Sequence, residues 1–286
     1  MLVDGVSVAV RALSFIALFQ AAGIALFMAM LGPLLSESAL STRHLGRDSA
    51  WVGIILVTLH QLLAAAQMTG DFSGLMDFSL QLRALRASAG VANGLRILGL
   101  LAIVFTLSRS DAGWRTAGIV GATLVVMSFL ITGHTSSHSQ RWLLAPLLLL
   151  HLWVVAFWFG SLWPLYVASS RETTRVAAEV VAKFSAIAGW LVPLIAIAGV
   201  AIAATLLPSA SALLTPYGLL LMVKATGFAV LLGLAALNKW RLGPALASGD
   251  SGAAQSFRRS VVTEYALICM VLIATAVMTG WFSPET

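Results

Sequence analysis

Charge is what this sequence has least of. Only 10% of its 286 residues are Asp, Glu, Lys or Arg, against roughly a quarter in an ordinary soluble domain. A water-soluble fold of this length cannot cover its surface with so few charges. Cysteine is nearly absent: Cys269 stands alone, which excludes an internal disulfide and any cysteine-cluster metal site. Catalytic signatures are missing as well. The chain has no P-loop, no GxSxG, no HExxH, no dinucleotide-binding fingerprint and no aspartyl-phosphate motif of an ATP-driven pump. No enzymatic activity is expected, and any transport must follow a gradient or be passive. A signal peptide is not expected either. Asp4 stands where a positive n-region belongs, and the apolar stretch runs past Met30, too far for an h-region.

What fills the chain is hydrophobic sequence: 59% of residues, with a mean hydropathy of +0.95. Eight apolar runs, at 7–31, 51–69, 90–107, 114–133, 142–168, 183–206, 217–238 and 260–281, approach or exceed the length that crosses about 30 Å of hydrocarbon. The expected fold is all-α, a polytopic membrane bundle of about eight helices forming one integral membrane domain over 1–286. Pro146, Pro164 and Pro193 fall within or near these runs, where proline kinks a helix. The formal charge of +6 does not point to nucleic acid, because the basic residues sit mainly in loops. Loops one, three, five and seven carry Arg43, Arg47, Arg109, Arg115, Arg171, Arg175, Lys183, Lys239, Arg241, Arg258 and Arg259. The opposite side has at most Arg11, Arg83, Arg86, Arg96 and Arg141. The positive-inside rule then places the odd loops in the cytoplasm and both termini outside.

Ionisable groups inside lipid each need a reason. His60 follows Trp51 by nine residues and His151 follows Trp142 by nine, so both lie about 14 Å deep. Two readings of the pair stand: neutral imidazoles bonding neighbouring helices, or ligands and relay groups facing the bundle interior. His60, Ala64, Gln67 and Asp71 share one helical face with Met68 beside it. His134 and His138, in TGHTSSHS, lie at i, i+4 if the fourth helix continues that far. There they are either a copper, zinc or nickel pair at the outer surface or two solvated side chains. His44 is a solvated loop residue. Met68, Met222, Met270 and Cys269 offer soft donors for a Cu(I) path, though methionine is also common packing in membrane helices and Cys269 has the plain reading of a small buried hydrophobe. Lys224 lies deep in the seventh run and Arg96 and Asn93 in the third; Asp71 or Asp77 are candidate partners for Arg96 or Lys224.

The stretch from His134 to Leu246 resembles the copper resistance D family. The resemblance rests on TGH ending helix four, HLWVVAFWFGSLWPL in helix five and KFSAIAGWLVPL opening helix six. LTPYGLLLMVKATGF in helix seven and NKWRLGPAL after it complete the run. The first half agrees more loosely, through RALSFIALFQAAGIALF and the second helix carrying His60. The resemblance implies eight helices in a bacterial inner membrane and a role in copper uptake or homeostasis, often beside a periplasmic CopC-type carrier. By position it makes His134 an outer metal contact and His151 the helix-five site, with Lys224 and Tyr217 at family positions of helix seven. The family's usual GHA reads GHT here, and its WxGG reads WFGS with Ser161 at the second glycine position. Three functions follow as alternatives: a copper transporter working through His60, His134, His138 and His151; a b-type haem protein with two midplane histidines as axial ligands; and a partner of a copper-handling system with no transport of its own.

Overall fold

A backbone in lipid has no water to bond, so apolar runs close their hydrogen bonds along helices. The computed structural model describes residues 2–109, 113, 115–133, 136, 138–207, 209–250 and 252–282. Among these there is no strand. The helices are α1 (Leu2–Met30), α2 (Ala39–Thr69), α3 (Phe78–Arg86), α4 (Ser88–Leu107), α5 (Arg115–Met127), α6 (Arg141–Arg171), α7 (Thr174–Leu206), α8 (Pro216–Leu237), α9 (Gly243–Ala247) and α10 (Ala253–Trp281). Seven are long and apolar enough to cross a bilayer: α1, α2, α4, α6, α7, α8 with its continuation to Ala247, and α10. The eighth expected span is shorter. A 3-10 turn extends α5 to Leu130, giving roughly 24 Å at 1.5 Å per residue. The chain is a multi-pass membrane bundle. Helices α6 and α7 run unbroken through Pro146, Pro164 and Pro193.

Helix α1 is the axis. It packs against α2, α4, α5, α6 and α10, while α7 lies outside on α6 and α8 outside on α10. Apolar burial does not distinguish lipid from protein interior, so close packing of small residues has to hold such a bundle. Helix α1 supplies them, with Ala21 and Ala22 wholly buried and Gly23 directly after them. A methyl group on Gly23 would stand 1.8 Å from the Ala156 carbonyl oxygen, and one on Gly160 2.4 Å from the Gly23 backbone. Helices α1 and α6 therefore touch backbone to backbone. Helices α4 and α5 repeat the device at Gly99 and Gly121, where each missing methyl would fall within 2.7 Å of the other glycine's oxygen.

The helices overrun their apolar stretches at one end. α2 begins at Ala39, α7 at Thr174 and α10 at Ala253, each well before the hydropathy rises. These extra turns carry Arg43, Arg47, Arg175 and Arg258; charged turns of this kind suit the headgroup region, where a helix no longer has to be apolar. The basic loops share this end. Arg43 Nη1 donates to the Arg109 carbonyl (2.6 Å) and Arg258 Nη1 to the Ser169 carbonyl (3.1 Å). At the opposite end Arg11 Nη1 donates to the Thr279 carbonyl at 3.2 Å, which puts the N-terminal part of α1 and the C-terminal part of α10 together.

Glu172, between α6 and α7, fastens the basic end. Its carboxylate accepts from the backbone N–H and hydroxyl of Ser36 (3.0 and 2.6 Å) and of Ser38 (2.9 and 2.6 Å). Burial opposes ionisation, but the hydrogen bonds from Ser36 and Ser38 outweigh it and hold the carboxyl down at about 2. A depressed acid stabilises the fold above its unfolded value, near 4.3 for Glu, and that contribution fades as pH falls toward 2. Glu172→Gln is expected to lower the thermal midpoint in detergent at neutral pH. It is also expected to flatten the loss of stability between about pH 4.3 and 2. Identical acid profiles for the two proteins would show that the Ser36–Glu172 junction contributes nothing.

Candidate functional site

The polar residues of the first half form a chain through the bundle. Gln61 on α2 accepts from Asn93 Nδ2 at 2.8 Å, Asn93 Oδ1 accepts from Arg96 Nη1 at 2.8 Å, and Arg96 Nε donates to Ser128 Oγ at 3.0 Å. The Arg96 guanidinium also lies 4.6 Å above the Phe129 ring, which stacks on Phe19 and meets Phe15 edge-on. Arg96 is 8% exposed. Its charge is held by neutral acceptors and a π-face, not by Asp71 or Asp77 as the sequence suggested. Those two carboxylates cap turns outside the span. Asp71 accepts from Ser73, and Asp77 from Ser79 and Leu80, and these bonds hold both below the usual carboxylate range.

His60 lies beside this chain, facing α1. Its Nε2 accepts from Arg11 Nε at 3.4 Å, so the lone pair a metal would use is already engaged, and by a cation. Ala64 continues the His60 face, but Gln67 and Met68 are exposed, and the helix ends at Gly70 with φ 81° before Asp71. His151 occupies a separate place. Its ring lies against α7, where a methyl on Gly199 would be 3.4 Å away, with its buried edge toward the Ile195 backbone. Lys224 on α8 lies within electrostatic range of it. Among the described residues no hydrogen bond joins His60 to His151, and no three His, Cys, Asp or Glu side chains cluster as a metal site.

α5, with its 3-10 turn, stops at Leu130, and Gly133, with φ 94°, turns the chain. His138 is therefore not on the last turn of α5, as the i, i+4 expectation required. Its Nδ1 accepts from Gln140 N at 3.1 Å. His134 lies outside the described residues. Met68, Met222 and Met270 are 54%, 48% and 56% exposed, so within one chain they face the bundle's surroundings, while Cys269 is half-buried.

Two buried polar groups lie outside the residues predicted from sequence. One is Gln20 on α1, 3% exposed, with both amide atoms lacking a partner. The other is Glu264, 2% exposed on α10, which accepts from Trp158 Nε1 at 3.1 Å and from Asn238 Nδ2. The signal for Glu264 was present: a carboxylate within the run 260–281, four residues from Ser260 and from Ile268 on the buried stripe. A census of intramembrane ionisable residues finds it.

Two family models match the chain: the N-terminal domain of copper resistance protein D-like proteins over residues 1–142, and copper resistance protein D over 178–278. The first spans α1 to α5, the half in which the sequence resemblance was looser, and the second most of α7 to α10. A copper resistance protein D from Pseudomonas syringae pv. tomato is 27% identical over 304 aligned positions, covering 99% of this chain and 98% of that protein. No solved structure matches significantly. With both halves matched in order and the relative aligned end to end, the chain belongs to the copper resistance D family.

Proposed function

We propose that this protein carries copper across a bacterial inner membrane, from the periplasm toward the face that bears the basic loops. Membership of the copper resistance D family carries the reading. Two histidines within spanning helices and one described at the outer end support it. In this reading both termini are periplasmic, His134 and His138 meet the incoming ion, and a periplasmic CopC-type carrier delivers it there. His60 and His151 serve as modest sites in series rather than one tight cage, since a site that binds too well traps its ion. His60 can ligate copper only when Arg11 turns away from Nε2.

The test is copper accumulation by cells producing the protein, the His60→Ala/His151→Ala double variant, or neither. Uptake above the empty strain, cut back in the double variant, is the expected result. Equal uptake in all three sinks the proposal. A visible spectrum of the purified protein accompanies it, because a haem band lost in the double variant would transfer the two histidines to a redox role.

A further inference from the structure

Helices α7 and α8 flank a groove of about 370 Å³ whose floor includes Trp158 of α6 and Glu264 of α10. Its lining is almost wholly apolar, so an ion there has little to solvate it. At the floor sits the Glu264 carboxyl with two hydrogen-bond partners, both neutral: the Trp158 indole and the Asn238 amide. Among the described residues no cation pairs with it. Asn238 lies in a π-helical turn, Asn238–Leu242, that joins α8 to α9. Turns of this kind occur mostly as single interruptions of α-helices, frequently at functional sites. Asn238 is itself 9% exposed, and its Oδ1 is buried without a partner.

That orphan oxygen indicates what the site can hold. With Nδ2 forward, the amide donates to a carboxylate. Turned over, it presents Oδ1, which accepts the O–H of a carboxylic acid. No described residue bonds the far end of the amide, so neither orientation is locked. The Trp158 N–H serves both states, because either form of the acid keeps a free acceptor. We propose that Glu264 is a reversible proton-binding site, loaded and emptied through this groove. Hydronium that enters the groove gives its proton to the carboxylate at the floor, leaving water and a neutral acid, and the reverse step restores the charge. Trp240, 75% exposed, and Lys239 stand at the mouth, on the end of the molecule where the basic loops gather.

Few other ionisable groups face the site. Of the groove lining only Glu264 and Lys239 titrate. On α10, Arg258 is turned to the Ser169 carbonyl and Tyr265 is stacked on Phe159. On α7, Lys183 pairs with Glu179 at 2.9 Å. On α1, Arg11 is committed to His60 and Thr279 at the opposite end of α10. Tyr166 of α6 stacks on Trp163, and Arg241, in the turn, lies outside the lining.

A hydrophobic carbodiimide, which enters from lipid and reacts with protonated carboxyls, tests this on the purified full-length protein in detergent. Peptide mass spectrometry locates the label across a pH series. Labelling of Glu264 that declines as pH rises, with loss of the adduct in Glu264→Gln, is expected. Asn238→Leu removes the carboxylate's donor and is expected to carry the labelling to higher pH. An acid carbonyl band in the infrared spectrum, absent from Glu264→Gln, gives an independent readout where reagent access is poor. No label at any pH together with no such band means a permanently ionised structural carboxylate and overturns the proposal. Both readouts are taken without metal, so a failure of the copper reading leaves them unchanged.

Discussion

Gly23→Ala is expected to destabilise the protein by about 3 kcal/mol, the upper end of the usual cost of overpacking. The added methyl would meet the Ala156 carbonyl oxygen at 1.8 Å, and a backbone atom cannot rotate out of the way as a side chain does. Helices α1 and α6 must separate along the contact that joins the first half of the bundle to the second. Gly160→Ala forces the same separation from the other side, at 2.4 Å from the Gly23 backbone. The double variant should therefore cost less than the sum of the two, because one displacement relieves both clashes. Gly94→Ala and Gly233→Ala are the controls. Both positions are helical with open space around the missing methyl, and alanine there should be neutral or gain up to about 1 kcal/mol from helix propensity. Thermal midpoints of the four single variants in detergent decide the matter. Equal midpoints would mean that the α1–α6 approach is looser than the structure has it.

Arg11→Leu is expected to strengthen copper binding at His60. In the parent, a guanidinium sits on the imidazole lone pair at 3.4 Å, and an incoming cation meets both the occupied nitrogen and the charge. Unit charges about 4 Å apart repel by about 4 kcal/mol at an effective dielectric constant near 20. Relief of half of this is on the order of a thirtyfold gain in affinity, taking 1.4 kcal/mol per tenfold. Copper titration of the purified variants measures it, with Arg11→Leu/His60→Ala as the comparison. If the double variant binds as tightly as Arg11→Leu, His60 is not the site. A tighter site also predicts slower release, so Arg11→Leu should accumulate bound copper while moving less of it.

The spans were legible in the sequence because lipid enforces them: every long apolar run became a helix. Their ends were not. Hydropathy reports where an apolar stretch stops, whereas the helices at Ala39, Thr174 and Ala253 begin earlier, in charged turns that can be helical without being apolar. The short helix α3 escaped notice for the same reason, since FSLQLRALR alternates faces and has no apolar run. His60 and His151 stood out as polar residues in apolar surroundings, but their partners did not. Arg11 and Gly199 come from other helices, and no spacing along one chain encodes which helix faces which. Asp71 and Asp77 misled for the converse reason: a carboxylate near a span is as readily used by the serine two residues on as by a distant arginine. Glu264 was findable from its position alone, while the identity of its partners Trp158 and Asn238 needed the fold.

The central place of α1 also bears on how the protein is made. Its main contacts in the second half, α6 and α10, follow it in the chain from Arg141 and Ala253. While the ribosome completes them, α1 has only the nearer helices to shelter its buried polar residues, among them Ser14 and Gln20. Helices α2, α4 and α5 can escort it early, forming a half-bundle whose glycine surface around Gly23 stays open to lipid until α6 arrives. Insertion of α6 is then the committed step of biogenesis, and chains interrupted before Arg141 should present α1 to membrane quality control as a helix with one side unfinished.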